Sequence, residues 1–271
     1  MKKVGNVLLG IAPIFMMFAV QFIVSFVYTL VYLLLTGNII EDTVSLLVAA
    51  HLATAVIAFL WYFFAFGKAG EKNPMEVFST KTWLVMIALA VSLQALIQCV
   101  FMLLARVVPT WIESYSEMIE QSGLGELSIL STIATLILAP IGEELSFRGL
   151  TYKYLRRAGA GFVLANIIQA LLFGIMHLQP LQIVYAAVLG MVLGYLREKY
   201  DSIYVPIVMH CIFNFAGTYG ISLFEEFEQT VALAILFLLC GGILLIFGFT
   251  MMKIDKKTMR MTQEAVVDKE E

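Results

Sequence analysis

The sequence predicts an all-α protein that crosses a membrane many times. Of its 271 residues, 61% are hydrophobic and only 14% are charged, whereas about a quarter of the residues are charged in soluble domains. The mean hydropathy is +0.92, and the apolar residues form long runs. Because backbone polar groups must be satisfied inside a bilayer, runs of about 20 apolar residues predict transmembrane helices. The chain is therefore predicted to be a polytopic membrane protein, a bundle of about eight transmembrane helices.

Eight apolar segments are candidates for these spans. Their approximate bounds are 7–35, 44–66, 83–106, 127–147, 161–177, 181–196, 203–222 and 231–252. The first span is longer than the apolar part of a signal peptide, so we expect it to be retained. We predict one integral membrane domain over 1–271, consisting of an N-terminal part (1–126), a core of the fourth to seventh spans (127–222), the last span (223–252) and a charged tail (253–271).

The distribution of charge predicts the orientation of the spans. Lys and Arg precede the first span and recur in every second loop, while three of the four loops between them carry Glu or Asp, with Arg106 as the exception. Basic loops are typically cytoplasmic, so both termini are predicted to lie inside the cell, with the protein in the plasma membrane. The acidic segment 109–126 has apolar residues at helical spacing, which predicts an amphipathic helix on the outer surface. This helix could be a solvated loop helix or could cover the external opening of the protein.

The expected partners follow from the same composition. No basic block indicates nucleic acid, so the expected partners are the lipid bilayer and a membrane-associated substrate. The sequence contains no signal for an oligomeric state.

Two adjacent carboxylates, Glu143 and Glu144, interrupt the apolar run of the fourth span. Ionisable groups inside a membrane are costly and by default indicate function. Glu144 precedes Arg148 by four residues, which predicts an ion pair on one helix face. Glu143 is about 100° round the helix and must face other groups. The competing interpretation is a solvated helix end with a paired arginine.

The fifth span has a polar face that ends in a histidine. Its members recur at spacings of three and four residues: Asn166, Gln169, Phe173 and His177. This pattern predicts that the face lines a cavity, although His177 alone could be an interfacial histidine. The connection from His177 to Pro180 has no charged residue, which predicts a hairpin that turns within the bundle. On the sixth span, Gly190 and Gly194 predict close packing of another helix.

The seventh span contributes His210 and Asn214, which are one helical turn apart and share a face. A lone buried histidine or asparagine more often holds helices together than performs chemistry. Together with Glu143, however, these residues predict a polar catalytic cavity formed by helices four, five and seven.

The three motifs Glu143-Glu144-x-x-x-Arg148, Phe173-x-x-x-His177 and His210-x-x-x-Asn214 resemble those of the CAAX protease and bacteriocin-processing family of intramembrane proteases, also called the abortive-infection family. The resemblance covers about residues 127–220. It implies a CAAX-type membrane endopeptidase, similar to type II CAAX prenyl endopeptidases. In this interpretation Glu143, His177 and His210 act on water, Asn214 helps to hold the oxyanion, and Glu144 and Arg148 support them.

Amide hydrolysis requires an activated water, a proton donor for the leaving amine and donors for the oxyanion. Glu143, His177 and His210 could alternatively bind a divalent metal such as zinc, because two histidines and a glutamate form a known peptidase ligand set. The sequence has no His-Glu-x-x-His motif. Whether the enzyme is a metalloprotease or a glutamate-dependent protease is therefore open at this stage.

Two other classes of function are compatible with buried carboxylates and histidines. One is a proton-coupled transporter, although the two halves of the chain show no matching polar motifs of the kind that inverted repeats leave. The other is a non-catalytic immunity or scaffold membrane protein, against which the complete motif set argues. The sequence does not select among the family's substrates, which are prenylated C-terminal tails, bacteriocin leaders and membrane-protein segments.

Overall fold

The computed structural model describes residues 2–38, 43–67, 71–122, 128–220 and 230–251, and these are almost entirely helical. The helices outside the fourth span are α1 Lys2–Thr36, α2 Thr43–Phe66, α3 Pro74–Val77, α4 Thr80–Val107, α5 Pro109–Gln121, α9 Phe162–Met176, α10 Pro180–Tyr200, α11 Tyr204–Phe215 and α12 Val231–Met251. A π-helical segment, Ala216–Gly220, extends α11. The predicted tail at 253–271 lies outside the described residues.

The fourth predicted span is one continuous helix, Ile129–Arg157, which we call the central helix. Its α-helical parts are α6 Ile129–Ile133, α7 Ala139–Glu144 and α8 Tyr152–Arg157. Between them lie two π-helical segments, Ala134–Leu138 and Leu145–Thr151. The two adjacent carboxylates therefore lie on a short α-helical stretch with a π-helical segment on each side, an irregularity that is frequent at functional sites.

The predicted class of all-α polytopic membrane protein is confirmed. Six helices in the described part of the chain are long and apolar enough to cross a membrane, namely α1, α2, α4, the central helix, α10 and α12. The fifth and seventh predicted spans are helical too, but α9 has 15 residues and α11 has 12. The count of eight spans stays a prediction.

Several helices begin where a side chain can satisfy their free backbone N–H groups. Ser79 accepts a hydrogen bond from the backbone of Thr82 at the start of α4. Gln179 does the same for Gln182 at the start of α10, where Pro180 occupies the first turn. Ser128 and Ser131 cap each other's backbone at the start of the central helix. Such capping residues fix where each helix starts.

The contact between α9 and α10 corrects the prediction that the polar face of α9 lines a cavity. Asn166 donates to the Met191 carbonyl at 3.0 Å, and Gln169 donates to the Gly190 carbonyl at 2.9 Å. A Cβ atom at Gly194 would lie only 1.9 Å from Oδ1 of Asn166. These amides therefore bind the backbone of α10, because the glycines on that helix leave space for them, as the small-residue pattern predicted.

At the end of the bundle that is predicted to be cytoplasmic, Glu71, which follows α2, joins several helices. Its Oε1 accepts hydrogen bonds from Lys153 at 2.8 Å and Arg197 at 3.0 Å, and also from the Tyr62 hydroxyl. Its Oε2 accepts from the backbone N–H of Ile203 at 2.9 Å. Glu71 thus connects α2, the central helix, α10 and the start of α11. Lys153 of the central helix and Arg197 of α10 therefore meet at the same carboxylate.

The opposite end of the bundle is closed in part by α5, the predicted amphipathic helix. The hydroxyls of Tyr115 on α5 and Tyr185 on α10 are 3.1 Å apart, and both rings pack edge-on against Phe101. Helix α5 therefore lies over the ends of α4 and α10, although Glu113, Glu117 and Glu120 on it are exposed.

We predict that the contribution of Glu71 to stability depends on pH. Burial alone would raise the pKa of Glu71, but the positive charges of Arg197 and Lys153 and the hydrogen bonds from Lys153 and Tyr62 outweigh it and lower the pKa below its usual value of 4.5. A carboxyl whose folded pKa is lowered stabilises the fold above its unfolded pKa, and this stabilisation is lost as the pH falls through the folded pKa. Glu71→Gln should therefore lower the thermal unfolding midpoint at about pH 7, and the difference should shrink toward about pH 4 and below.

Thermal unfolding in detergent, followed by circular dichroism, measures this difference. Glu117→Gln, at an exposed position on α5, is the control and should change the midpoint little at either pH. A Glu71→Gln difference that stays constant as the pH falls would contradict the role of the ionised carboxylate.

Candidate active site

Glu144 is the centre of a buried network that joins the central helix to α11. Its Oε1 accepts from Nη1 of Arg148 at 2.7 Å, as the spacing of four residues predicted. The same oxygen lies 2.9 Å from Nδ1 of His210. The side chains of Glu144 and Arg148 are 0% exposed. A pair buried this completely is costly to form. Its presence inside the bundle indicates a functional role.

The ring of Phe173 on α9 packs against the other members of this network. The guanidinium of Arg148 lies 4.4 Å from the ring centroid, and the imidazoles of His177 and His210 stand perpendicular to the ring, with centroids at 5.1 and 5.8 Å. Arginine above an aromatic face gains a cation–π attraction that increases when water is excluded. The position of Phe173, one turn before His177, therefore lets its ring contact the guanidinium of Arg148 and pack against both imidazoles.

The hydrogen-bond partners determine the tautomer of both imidazoles. Nδ1 of His177 is 2.9 Å from the carbonyl oxygen of Phe173, which can only accept, so Nδ1 carries the hydrogen. Nδ1 of His210 faces a carboxylate oxygen of Glu144 that also accepts from Arg148, so this nitrogen is a donor too. In the neutral form of each ring, Nε2 then carries the free lone pair.

Glu143 projects from the central helix toward that free nitrogen of His210. Its Oε2 is 3.8 Å from Nε2 of His210. This distance is too long for a hydrogen bond, but both atoms are near enough to contact one water molecule. The neighbouring Gly142 packs against α2, where a Cβ atom would lie 3.3 Å from the backbone nitrogen of Ala55. This close approach brings α2 to the turn that carries Glu143.

Two residues near Glu143 were not identified from the sequence. His51 lies on α2, one turn before Ala55, and interacts electrostatically with Glu143 and His177. Tyr185 on α10 interacts with Glu143 in the same way. A signal for His51 existed, because it is one of three histidines in the chain and lies in an apolar span. Nothing in the sequence distinguishes Tyr185 from the other tyrosines.

The sequence-predicted residues fall into three groups in space. Glu143, Glu144, Arg148 and His210 are in direct contact or within one water molecule of each other. Within the described residues, His177 is connected to them through Phe173 and does not hydrogen-bond to Glu143 or His210. Asn214 donates to the carbonyl of Thr135 at 2.9 Å and uses one of its two amide hydrogens there.

The fit of a metal ion can be tested on the side chains themselves. In the part of the chain that the structure describes, no three His, Cys, Asp or Glu side chains are close enough to hold a metal. The predicted ligands Glu143, His177 and His210 do not form such a group, and metal binding stays a prediction.

Comparison with known proteins identifies one related family. Residues 125–216 match the family model described as type II CAAX prenyl endopeptidase Rce1-like. This segment contains all three motifs, and the resemblance predicted from them is confirmed. No curated protein and no solved structure matches the chain.

We predict that Arg148→Met destabilises the protein by about 3–5 kcal/mol, because it leaves the buried charge of Glu144 without a cation. The double variant Arg148→Met/Glu144→Gln should recover most of that loss, since both charges are then absent. Unfolding by SDS titration in mixed micelles measures the difference.

Lys81→Met, at an exposed position on α4, is the control for loss of a positive charge. If the double variant were as unstable as Arg148→Met alone, the destabilisation would not come from an uncompensated carboxylate.

Proposed function

We propose that this protein is a CAAX-type intramembrane endopeptidase that hydrolyses a peptide bond of a membrane-associated or lipid-modified substrate with a water molecule activated by Glu143 and His210. The observation that carries the proposal is the 3.8 Å separation of Glu143 Oε2 and His210 Nε2, next to an imidazole whose other nitrogen is bound by Glu144. The family match of the segment that holds these residues supports the same reaction class.

The proposed reaction begins with a water molecule between Glu143 and His210. Glu143 removes a proton from the water, and the hydroxide oxygen bonds to the carbonyl carbon of the substrate. The C–N bond then breaks, and the amine leaves with the proton that Glu143 accepted, transferred directly or through Nε2 of His210. General acid–base catalysis of this kind contributes about 10²–10⁴-fold to a rate.

The remaining residues have supporting roles in this proposal. Arg148 pairs with Glu144, and Glu144 holds His210 through Nδ1, which leaves Nε2 of the neutral ring free. The second amide hydrogen of Asn214 is available to the developing oxyanion. Nε2 of the neutral His177 ring can accept a hydrogen bond from the departing amine, and His51, which interacts with Glu143, is a second group that can bind the substrate.

Glu143 precedes the basic cluster at 153–157 by about ten residues, or roughly 15 Å of helix, which predicts that the carboxylates lie toward the cytoplasmic side. This location favours a substrate that enters from the cytoplasm or laterally from the lipid. The cover of α5 on the opposite end supports this direction, because Tyr115 and Tyr185 meet over that end of the bundle.

We predict that Glu143→Gln abolishes peptide cleavage while the fold is retained, because an amide of nearly the same size cannot accept the proton from water. The measurement is cleavage of a farnesylated C-terminal peptide and of the same peptide without the lipid, by protein reconstituted in liposomes, followed by mass spectrometry. A loss of about 10²-fold or more is expected, whereas Glu117→Gln, at an exposed position on α5, should cleave normally.

Cleavage that persists unchanged in Glu143→Gln would contradict the proposal. Activity should be retained after dialysis against a chelator if Glu143 and His210 activate water without a metal, and a loss that zinc restores would instead assign the site to a metal. Substrate uptake into sealed vesicles that Glu143→Gln abolishes, without any cleavage, would favour the proton-coupled transporter.

A further inference from the structure

The backbone of the central helix has a carbonyl without its usual donor about two turns before the carboxylates. The N–H of Ala139 donates to the carbonyl of Ala134, five residues back. In an α-helix the same N–H would have bonded to Thr135. If the π-helical pattern continued, residue 140 would supply the donor for Thr135, but that residue is Pro140, which has no N–H. Neither neighbour therefore satisfies the Thr135 carbonyl.

A side chain from α11 occupies the position of the missing donor. Nδ2 of Asn214 lies 2.9 Å from the Thr135 carbonyl oxygen. Thr135 and Asn214 are both partly buried, and Pro140 is buried. An unsatisfied carbonyl is especially costly inside a bilayer, where no water replaces the lost hydrogen bond. The amide of Asn214 removes this cost.

The same two helices meet again at the carboxylates. His210, one turn before Asn214 on α11, contacts Glu144 at 2.9 Å. The stretch from Ala139 to Glu144 is therefore tied to α11 at both of its ends, through Thr135 just before it and through Glu144 itself. Loss of either tie would allow this stretch to shift relative to His210.

We propose that Asn214 is a positioning residue: its side-chain amide replaces the backbone N–H that Pro140 lacks, and so holds the turn of Glu143 and Glu144 in register with His210. This role differs from donation to the oxyanion, which would use the second amide hydrogen of Asn214. Only the activity part of the test below rests on the proposed function.

The two roles differ in their dependence on Pro140. Pro140→Ala supplies a backbone N–H that can bond to Thr135 in place of Asn214. If Asn214 is needed for Thr135, its replacement should matter less in the Pro140→Ala protein. If Asn214 acts only on the oxyanion, the loss caused by its replacement should not depend on residue 140.

The experiment is a double-mutant cycle of Asn214→Leu with Pro140→Ala, which measures kcat and KM for peptide cleavage and the thermal unfolding midpoint in detergent. The Asn214→Leu loss in kcat and in midpoint should be smaller in the Pro140→Ala background, by about tenfold in kcat, the equivalent of one hydrogen bond. Pro180→Ala is the matched control, because Pro180 is in the first turn of α10 and should not rescue Asn214→Leu.

An equal Asn214→Leu loss in both backgrounds, in kcat and in midpoint, would overturn the proposal. The unfolding midpoints test the role of Asn214 even if the protein cleaves no peptide. Failure of the proposed function is therefore distinguishable from failure of this inference. If Pro140→Ala itself does not fold, Pro140→Ser provides the same N–H and replaces it in the cycle.

Discussion

The site depends on one carboxylate that is shared by a guanidinium and an imidazole in the absence of bulk solvent. Glu144 contacts Arg148 at 2.7 Å and His210 at 2.9 Å, and all three side chains are buried. Because each buried ion loses several kcal/mol of hydration, the pair is stable only while both partners and the ring of Phe173 remain in contact. That requirement fixes the imidazole of His210, and the fixed imidazole directs Nε2 toward Glu143.

The irregular helix that carries Glu144 is part of the same constraint. A π-helical segment shifts the hydrogen-bond register by one residue, so it changes which face the following residues occupy. One such segment lies on each side of α7, and together they direct Glu143 and Glu144 toward α11. They also leave backbone groups that other helices must satisfy, and this need explains an asparagine one turn after His210. Gly142 lets α2 approach the central helix closely, and Gly190 and Gly194 let α9 approach α10.

Local spacing and hydropathy were sufficient to predict part of this arrangement. They gave the all-α membrane class, the Glu144–Arg148 pair and the close packing at Gly190 and Gly194, because each depends on neighbours in one helix or on small size. They failed for Asn166 and Gln169, since an amide stripe looks the same whether it faces water or a backbone. Hydropathy contains no signal for the π-helical segments. The contact of Glu71 with Arg197 joins residues that are 126 positions apart, which spacing within one helix cannot reveal.

The central claim is that Glu144 holds His210 with the hydrogen on Nδ1 and a free lone pair on Nε2. The chain has three histidines, so ¹⁵N-histidine labelling gives three rings, and His51→Gln and His177→Gln assign the remaining one. At neutral pH the account predicts ¹⁵N chemical shifts of a protonated Nδ1 and an unprotonated Nε2 for His210, and a loss of this preference in Glu144→Gln. A His210 ring that carries its hydrogen on Nε2, or whose shifts do not respond to Glu144→Gln, would contradict it.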